Sequence, residues 1–333
     1  MIKSNSLKII AEIGSIHDGS FGNAIKAIDA ASASGADIVK FQTHIGEAES
    51  LVNAPSPNYF NNESRVEYFK RTAFSFEQWA KISDHCKLCG VEFISSPFSL
   101  EAVDLLEKIG VQSYKIPSGE VTNLPLLEKI LHTSKNVYIS SGMSNWTELD
   151  RAINILKNSP KLIPMQCSSE YPCQPNRVGL NVIQEMIKRY NLPVGFSDHT
   201  LGFAAGISAV ALGCVVVEKH FTFSKLMYGS DAANSMEPEE FKKFCFALNE
   251  AAIMRDSEID KDDLSKYLHM KKIFEKSIVT SQNIKKGEIL CNDNIAFKKP
   301  GDGISASFFR DVLGKKTNKD LMKNEKISWE DLI

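Results

Sequence analysis

The chain has 333 residues, of which 43% are hydrophobic and 24% charged, and its formal net charge is −2. This length suits one large globular domain with a small one, and the near-neutral charge gives no reason to expect nucleic acid or an anionic membrane as a partner. The chain starts without a signal-peptide hydrophobic region, and no apolar run approaches the roughly 20 residues that span a bilayer. We therefore expect a cytoplasmic protein with no membrane partner.

Strand and helix patterns alternate eight times from Leu7 to about residue 255. The repeats predict an α/β fold, a closed (β/α)8 or TIM barrel, because βα repeats form a parallel sheet and eight strands close it. An open doubly wound sheet is the rival, but no Gly-x-Gly-x-x-Gly follows the first strand. The connection 44–72 is too long for an ordinary loop and predicts a lid or a surface insertion. The predicted strands are 8–14, 38–43, 91–98, 113–118, 137–142, 162–167, 194–199 and 215–222.

The C-terminal part of the chain has a different pattern. Residues from 256 to about 274 are charged and helix-like, which is typical of a linker. An internal repeat follows, in which residues 284–295 match 321–332 in their apolar positions. Gly287 and Asn324 fall where a turn favours positive φ. We predict three segments: a barrel domain over 1–255, a linker over 256–275 and a small β-rich domain over 276–333.

Seven cysteines, an odd number, are scattered through apolar or strand-like surroundings. They predict reduced thiols rather than a disulfide framework. Cys86 and Cys89 have CxxC spacing, but they lie in a helical pattern without a second such pair. This favours a structural role over a zinc or redox site.

Two histidines end the predicted seventh and eighth strands. Because strand side chains alternate, Ser197 shares a face with His199, and Glu218 shares one with His220. On neighbouring parallel strands the two imidazoles converge and could hold a divalent metal; the alternative is a pair of core histidines. Asp198 and Lys219 alternate to the outer face, where we expect them to pair.

Two lysines are expected to face the barrel interior near the ends of its strands. Lys40 lies on the second strand and Lys115 near the end of the fourth. A buried, unpaired ammonium is costly, so a ligand with a phosphate and a carboxylate would account for both. The alternative is a structural ion pair with Glu12 or Glu120. Alternation also places Gln42, Ser140 and Gln166 inward.

Eight runs resemble the N-acetylneuraminate (sialic acid) synthase family in their order and spacing, and residues 284–332 resemble its C-terminal antifreeze-like domain. The eight runs are 11–20, 39–43, 93–98, 114–120, 140–143, 166–172, 196–202 and 218–222. The resemblance implies a transferase that condenses phosphoenolpyruvate with the open-chain aldehyde of an N-acetylmannosamine-type sugar. The products would be a nine-carbon 3-deoxy-2-keto acid and phosphate, with C–O rather than P–O cleavage. It also implies a homodimer in which the antifreeze-like domain caps the partner's barrel, bringing Lys299 to that active site.

The resemblance further implies a role for each matching site residue. His199 and His220 would hold a divalent ion, typically manganese, with magnesium or cobalt as alternatives. The ion would polarise the aldehyde oxygen while the lysines stabilise the anions. Asp18, Gln42, Tyr171 and Asp231 would face the sugar or the attacking water, with Asp18 as general base unless it only forms a turn. Phosphoenolpyruvate would be held by Lys40, Ser96, Lys115, Ser118, Ser140, Ser169 and Ser197.

The chain departs from the family pattern at four positions, which leaves the sugar open. Ile16 stands where asparagine is frequent, and Gln166 and Ala232 stand where histidines are common. Lys299 replaces an arginine and cannot offer its planar fork. Candidate sugars are N-acetylmannosamine, its 6-phosphate and the diacetamido sugars that lead to legionaminic or pseudaminic acid.

Two other functions compete with this one. A different phosphoenolpyruvate-dependent 3-deoxy-2-keto acid synthase would share the barrel, but the antifreeze-like tail argues against it. A non-catalytic sugar-binding protein would gain stability from apolar residues at the histidine and lysine positions, and the chain keeps the polar ones.

Overall fold

The first part of the chain forms a closed barrel of eight parallel strands, which confirms the predicted fold. The computed structural model describes residues 3–56, 63–229 and 231–333. The strands are β1 Lys8–Gly14, β2 Ile38–Thr43, β3 Glu92–Pro97, β4 Ser113–Ile116, β5 Asn136–Ser140, β6 Leu162–Cys167, β7 Gly195–Asp198 and β8 Val216–His220. Each strand pairs with the next in sequence, and β8 closes the barrel against β1.

Five of the predicted strands differ from the observed ones by one or two residues, four of them at both ends and one at its C-terminal end. The prediction for 113–118 was wrong at its C-terminal end because Pro117 has no N–H to donate and Ser118 begins a 3-10 turn. The prediction for 194–199 was wrong in the same direction, since β7 stops at Asp198. Ser118 and His199 therefore stand on the rim, just beyond the hydrogen-bonded ladder.

Within the described residues of the barrel, ten α-helices connect and cover the strands. They are α1 Phe21–Ala33, α2 Gly46–Glu49, α3 Arg65–Thr72, α4 Phe76–Leu88, α5 Leu100–Ile109, α6 Leu124–His132, α7 Trp146–Leu156, α8 Leu180–Tyr190, α9 Ala204–Ala211 and α10 Pro238–Asp256. The start of α3 is fixed by a capping box, in which Ser64 accepts from the Glu67 backbone N–H and the Glu67 side chain accepts from Ser64. The long connection after β2 thus contains α2 and α3, and its residues 57–62 lie outside the described part. No helix in the described ranges is long and apolar enough to cross a membrane.

Apolar and polar layers divide the inside of the barrel. Seven buried side chains fill one layer: Ile10, Ile38, Ile94, Tyr138, Ile163, Met165 and Val216. Glu12, Lys40 and Ser96 each follow a member of that layer by two residues, so they face the same interior nearer the C-terminal ends. This is the end at which barrel enzymes carry their sites.

The chain divides into two compact units, Met1–Ser257 and Glu258–Ile333. The second contains α11 Leu268–Phe274, α12 Phe309–Val312 and an antiparallel pair of strands, β9 Ser277–Thr280 and β10 Ile295–Lys298. The internal repeat predicted from the sequence is confirmed, because Ile284 and Leu321, the first residues of its two copies, pair with each other. Gly287 and Asn324 both have positive φ, 84° and 65°, as predicted.

Candidate active site

The two histidines meet at the C-terminal ends of β7 and β8. Both rings are buried, and their centroids lie 5.6 Å apart. His199 Nδ1 lies 2.7 Å from the Ser168 carbonyl oxygen and donates to it, which leaves Nε2 as the acceptor nitrogen. Burial lowers the pKa of both imidazoles and so favours the neutral form that binds metals.

A divalent ion fits the two rings. His220 Nδ1 is buried with no hydrogen-bond partner among the described residues. It lies 3.9 Å from a carboxylate oxygen of Asp231, a residue of the loop after β8. A first-row metal lies about 2.1 Å from an imidazole nitrogen, so rings at this separation can share one ion. The chemistry of this donor set, neutral nitrogens beside a carboxylate, suits manganese, iron, cobalt or zinc.

Below the histidines, two lysines and two glutamates form a buried charge network. Lys40 Nζ lies 2.9 Å from Glu12 Oε1 and 3.4 Å from Glu218 Oε1, and Lys115 Nζ lies 2.7 Å from Glu218 Oε2. Ser197 donates to Glu218 over 3.2 Å. Burial by itself raises the pKa of Glu218, but the two ammonium groups outweigh it and bring that pKa to about 2. Glu218 is therefore an anion.

This network changes what the sequence implied about the lysines. Each lysine already has a carboxylate partner, so neutrality does not by itself require an anionic ligand, and binding of phosphoenolpyruvate by these lysines stays a prediction. Lys40 pairs with Glu12, one of the partners considered, whereas Lys115 pairs with Glu218 and not with Glu120. An anion bound here would accept hydrogen bonds from N–H groups of the two lysines that do not contact the glutamates.

Two buried oxygens beside the network have no hydrogen-bond partner among the described residues. They are Glu12 Oε2 and the hydroxyl of Ser96. Buried polar atoms in native proteins are almost always satisfied by protein, water or a ligand. At the strand ends, these two oxygens are therefore available to a water molecule or to a polar ligand.

The serines predicted to bind phosphate fall into two groups. The hydroxyl oxygens of Ser118 and Ser169 both converge on Gly142, where a Cβ atom would collide with them. Ser96, Ser140 and Ser197 instead lie on strands and are buried inside the barrel. The thiol of Cys167 lies between Ser118 and His199. Its sulfur is 3.8 Å from Ser118 Oγ and 3.9 Å from His199 Nδ1.

A cavity of about 450 Å³ adjoins His220 and contains the predicted sugar-binding residues Gln42, Tyr171 and Asp231. The Tyr171 ring stacks on His199 with centroids 4.1 Å apart. Gln42 donates to Glu12 Oε1 over 2.7 Å, so the cavity and the charge network share a hydrogen bond. Gly14 has positive φ, and a Cβ there would come within 3.1 Å of an Asp231 carboxylate oxygen.

Asp18 and Lys299 are not brought into this group by any described contact. Asp18 lies in the turn after β1 with φ 48°, and its carboxylate is 2.7 Å from Arg71 Nη1. The turn-forming alternative thus describes its position, and its role as a base stays a prediction. Lys299 belongs to the second unit, where its ammonium lies 5.0 Å from the Phe274 ring centroid. Its reach into a partner's site also stays a prediction.

Sequence reasoning left several residues out of the proposed site. Glu218 was placed on the His220 face but given no role, although that shared face was the signal for it. His44 and Arg65 line the cavity and were missed altogether. They come from the long connection after β2, which has no periodicity from which to place them. The prediction that Gln166 faces inward was wrong. Ile163 and Met165 of β6 lie in the interior layer, so Gln166 alternates to the outer face. There it accepts from Ser141 and donates to the Val178 carbonyl oxygen.

Within the described residues, one compact group of three metal-ligating side chains lies on the outer helices rather than at the histidine pair. It consists of Asp29 on α1, with His85 and Cys89 at and beyond the end of α4. His85 Nε2 lies 2.6 Å from Asp29 Oδ1, which is hydrogen-bond distance between two partly exposed side chains. Cys86 is buried, and burial raises its thiol pKa to about 12, which disfavours the thiolate that redox chemistry at the CxxC spacing would use.

The fold and the site together define a (β/α)8-barrel enzyme class with ligand groups at the strand ends. Residues 27–260 match the model of the NeuB family, and residues 275–333 match that of the SAF domain. The chain belongs to the NeuB family, and its resemblance to sialic acid synthases is confirmed.

Relatives of this chain include enzymes for several sialic-acid-like products. N,N'-diacetyllegionaminic acid synthase of Campylobacter jejuni is 38% identical over 328 residues, which cover 96% of this chain and 98% of the relative. N-acetylneuraminate-9-phosphate synthase of Homo sapiens is 33% identical over 87% of this chain and 82% of its own length. The crystal structure of N-acetylneuraminic acid synthetase from Leptospira borgpetersenii in complex with citrate aligns with a TM-score of 0.71 at 27% identity, over 80% of this chain and 92% of that one.

Proposed function

We propose that this chain condenses phosphoenolpyruvate with the open-chain aldehyde of an N-acylated amino sugar. The products are a nine-carbon 3-deoxy-2-keto acid and phosphate, released by C–O cleavage. The observation that carries this proposal is the adjacency of three features: the His199–His220 pair, the buried lysine–glutamate network, and the cavity with Gln42, Tyr171 and Asp231. Family membership and the activities named for the relatives support it.

Phosphoenolpyruvate would lie over the charge network. Lys40 and Lys115 donate to its anionic oxygens, and the hydroxyls converging on Gly142 donate to phosphate. When C3 attacks the aldehyde carbon, positive charge develops at C2. The fixed carboxylates of Glu12 and Glu218 are oriented before the reaction and stabilise that charge. Water then adds to C2, and the tetrahedral intermediate expels phosphate; Asp18 is the proposed base for this water.

His199 and His220 would hold the divalent ion, for which we propose manganese, with magnesium or cobalt as alternatives. When bound, such an ion acts as a Lewis acid on the aldehyde oxygen. The residues around it do the rest: Tyr171 covers the His199 ring, and Gln42 and Asp231 orient the sugar in the cavity beside His220.

We also propose a homodimer in which residues 276–333 cap the barrel of the partner and Lys299 reaches its site, with 256–275 as linker. Supporting this, apolar side chains of the segment around α11 are exposed, as expected of a surface that a second copy covers. They are Leu264, Tyr267, Leu268, Met270, Ile273 and Phe274.

Subunit mixing tests the dimer. A His220→Ala chain is combined with a Lys299→Ala chain that is itself impaired, and recovered activity in a verified heterodimer shows that each domain serves the other barrel. No recovery would mean that the domain serves its own barrel or has no catalytic role.

We also propose a cytoplasmic location, which the seven free cysteines support, since thiols stay reduced in that compartment.

Phosphate release tests the function. Phosphoenolpyruvate is supplied with N-acetylmannosamine, its 6-phosphate, a 2,4-diacetamido hexose or a simple aldose phosphate, with and without chelator. We expect release with an amino sugar that stops on chelation. Release with the aldose phosphate alone would favour another 3-deoxy-2-keto acid synthase, and no release with any sugar would favour a binding protein.

A further inference from the structure

Arg65 presents an unpaired guanidinium to the cavity beside His220. It is the first residue of α3, whose start is fixed by the Ser64 capping box, and it lines the cavity together with Tyr171 and Asp231. Its Nε donates to the Ser50 hydroxyl over 3.3 Å, and its Cζ lies 5.6 Å from the Phe69 ring centroid. These contacts hold the stem and one edge of the guanidinium. They leave Nη1 and Nη2 without a hydrogen-bond partner among the described residues.

Among the described residues, Arg65 lacks the carboxylate partner that most barrel arginines have, and unlike Arg151, which also lacks one, it is not an exposed residue. No carboxylate lies within 4 Å of its guanidinium in the described ranges, and residues 1–2, 57–62 and 230, outside them, include no Asp or Glu. Four other barrel arginines each have a carboxylate partner: Arg71 with Glu63, Arg177 with Glu170, Arg189 with Asp150 and Arg255 with Asp256. The half-buried side chain of Arg65 is thus a fixed cation at the cavity wall whose donor fork is unused.

The chemistry of that fork selects its ligand. Two parallel N–H groups from one guanidinium bind two acceptor oxygens, or one strong acceptor, far better than they bind a hydroxyl that must also donate. On an amino sugar, two substituents offer acceptor oxygens of this kind: the carbonyl of an acylamido group and a phosphate on the terminal hydroxyl. Both share the same recognition chemistry.

We infer that Arg65 determines sugar specificity by donating to acceptor oxygens on a substituent of the sugar, while its aldehyde lies at the His220 end of the same cavity. This inference rests on the proposed function and assigns a contact that no motif indicated. It places the sugar between α3 and the loop after β8, with phosphoenolpyruvate on the charge network.

The test is a pair of variants, Arg65→Gln and Arg65→Lys, measured with the sugar that supports phosphate release. We expect Arg65→Gln to raise the KM for the sugar at least tenfold and to leave the KM for phosphoenolpyruvate within twofold, because charge-assisted hydrogen bonds to one substrate only are lost. Arg65→Lys should fall between, since an ammonium keeps the charge but not the fork. Guanidinium ion added to Arg65→Ala should restore part of the activity, which a purely structural role would not allow.

Arg151→Gln is the matched control, because Arg151 is an exposed residue of α7. It should leave both KM values unchanged. An unchanged sugar KM in Arg65→Gln, or an equal rise for both substrates, would overturn the inference. If the wild-type chain releases no phosphate with any sugar, the proposed function fails, and calorimetric titration of N-acetylmannosamine and its 6-phosphate into wild type and Arg65→Gln still tests Arg65. Equal affinities there would overturn it as well.

Two arms distinguish the sources of the acceptor oxygens. If Arg65 binds a phosphate, wild type prefers the 6-phosphate, its sugar KM rises with salt between 0.05 and about 0.5 M, and Arg65→Gln abolishes the preference. If Arg65 binds an acyl oxygen, salt has little effect, and removing the acyl group raises the KM in wild type but not in Arg65→Gln. If Arg65→Gln kept both the preference for the 6-phosphate and the preference for the acylated sugar, both contacts would be contradicted.

Discussion

Two buried ion pairs lie side by side on β7 and β8 and face opposite ways. Toward the helices, Asp198 Oδ2 lies 2.9 Å from Lys219 Nζ, as alternation predicted, and the strand register sets the two residues opposite each other. Toward the barrel axis, their neighbours Ser197 and Glu218 join Lys115. Adjacent residues on each strand therefore belong to different pairs, one on the helix side of the sheet and one inside the barrel.

The two pairs differ in how completely their surroundings satisfy them. Lys219 also donates to the backbone oxygen of Thr200 and lies 5.7 Å from the Phe244 ring centroid, and Asp198 Oδ1 accepts from the Thr200 N–H. Asp198 Oδ2 has no hydrogen-bond partner of good geometry among the described residues, but it still lies 2.9 Å from the Lys219 ammonium. Beside the inner network, Glu12 Oε2 and the Ser96 hydroxyl also lack a hydrogen-bond partner among those residues. A pair whose two charges contact each other holds strands and loops in place, whereas the polar atoms beside the inner network are open to water or to a ligand.

The largest expected effect is at the inner site. His220→Ala should lower the turnover number about a thousandfold or more, because loss of a ligand removes the Lewis acid that the proposed reaction needs. Steady-state phosphate release measures this, and circular dichroism checks that the fold is retained. His132→Ala, at an exposed histidine of α6, is the control. Near-normal turnover of His220→Ala in metal-depleted buffer would contradict the assignment of His220 as a metal ligand.

Lys115→Met should raise the KM for phosphoenolpyruvate about ten- to a hundredfold by removing a charge-assisted contact to an anion. It also leaves Glu218 with Lys40 alone, at 3.4 Å, so the free energy of unfolding should fall. Kinetics with varied phosphoenolpyruvate and urea unfolding separate the two effects. Lys129→Met, in a surface pair with Asp104, is the matched control. A stability loss without a KM change would make Lys115 structural.

Asp198→Asn should sharpen the comparison by affecting stability alone. Leaving Lys219 buried without its carboxylate should lower the free energy of unfolding by about 3 kcal/mol. The KM values should stay within twofold, since the pair faces away from the site. Asp84→Asn, in the exposed pair with Lys87, should cost under about 0.5 kcal/mol. If Asp198→Asn instead changed the KM for either substrate tenfold, the division between outer and inner pairs would be wrong.

The last effect concerns pH, and it disappears at neutral pH. Burial lowers the pKa of His17 to about 4, with His44 adding to it, and His17 Nδ1 accepts from the Gly19 N–H. A folded pKa below the unfolded value of 6.5 gives stability that is present above pH 6.5 and lost as the pH falls toward 4. Urea unfolding of wild type should show a loss of up to about 3 kcal/mol relative to His17→Asn, which keeps an acceptor but does not titrate. Parallel curves for the two proteins would contradict this.

Local periodicity accounts for what the sequence could predict. Alternation along each strand placed Glu12 and Lys40 inside, Asp198 and Lys219 outside, and both histidines at the same end, because each depends only on period two. The partner of Lys115 could not be predicted this way, since Glu218 lies 103 residues away and meets it only across the closed barrel.

Residues on the rim were also beyond the reach of periodicity. Ser118 was assigned to a strand because the apolar pattern continues to Ile116 and nothing in it marks the 3-10 turn that follows. Arg65 lies in a connection with no apolar repeat, and its place in the cavity follows from the packing of α3, whose Phe69 ring stacks on His44.

The most direct test of the central claim follows the oxygen that bridges carbon and phosphorus. Phosphoenolpyruvate labelled with ¹⁸O at that position is incubated with enzyme, divalent metal and the amino sugar that supports turnover, and phosphate is examined by ³¹P NMR. We predict that the released phosphate carries the label, that an equal amount of a nine-carbon 3-deoxy-2-keto acid forms, and that neither appears without metal. Unlabelled phosphate, or labelled phosphate without the keto acid, would contradict the condensation assigned to this site.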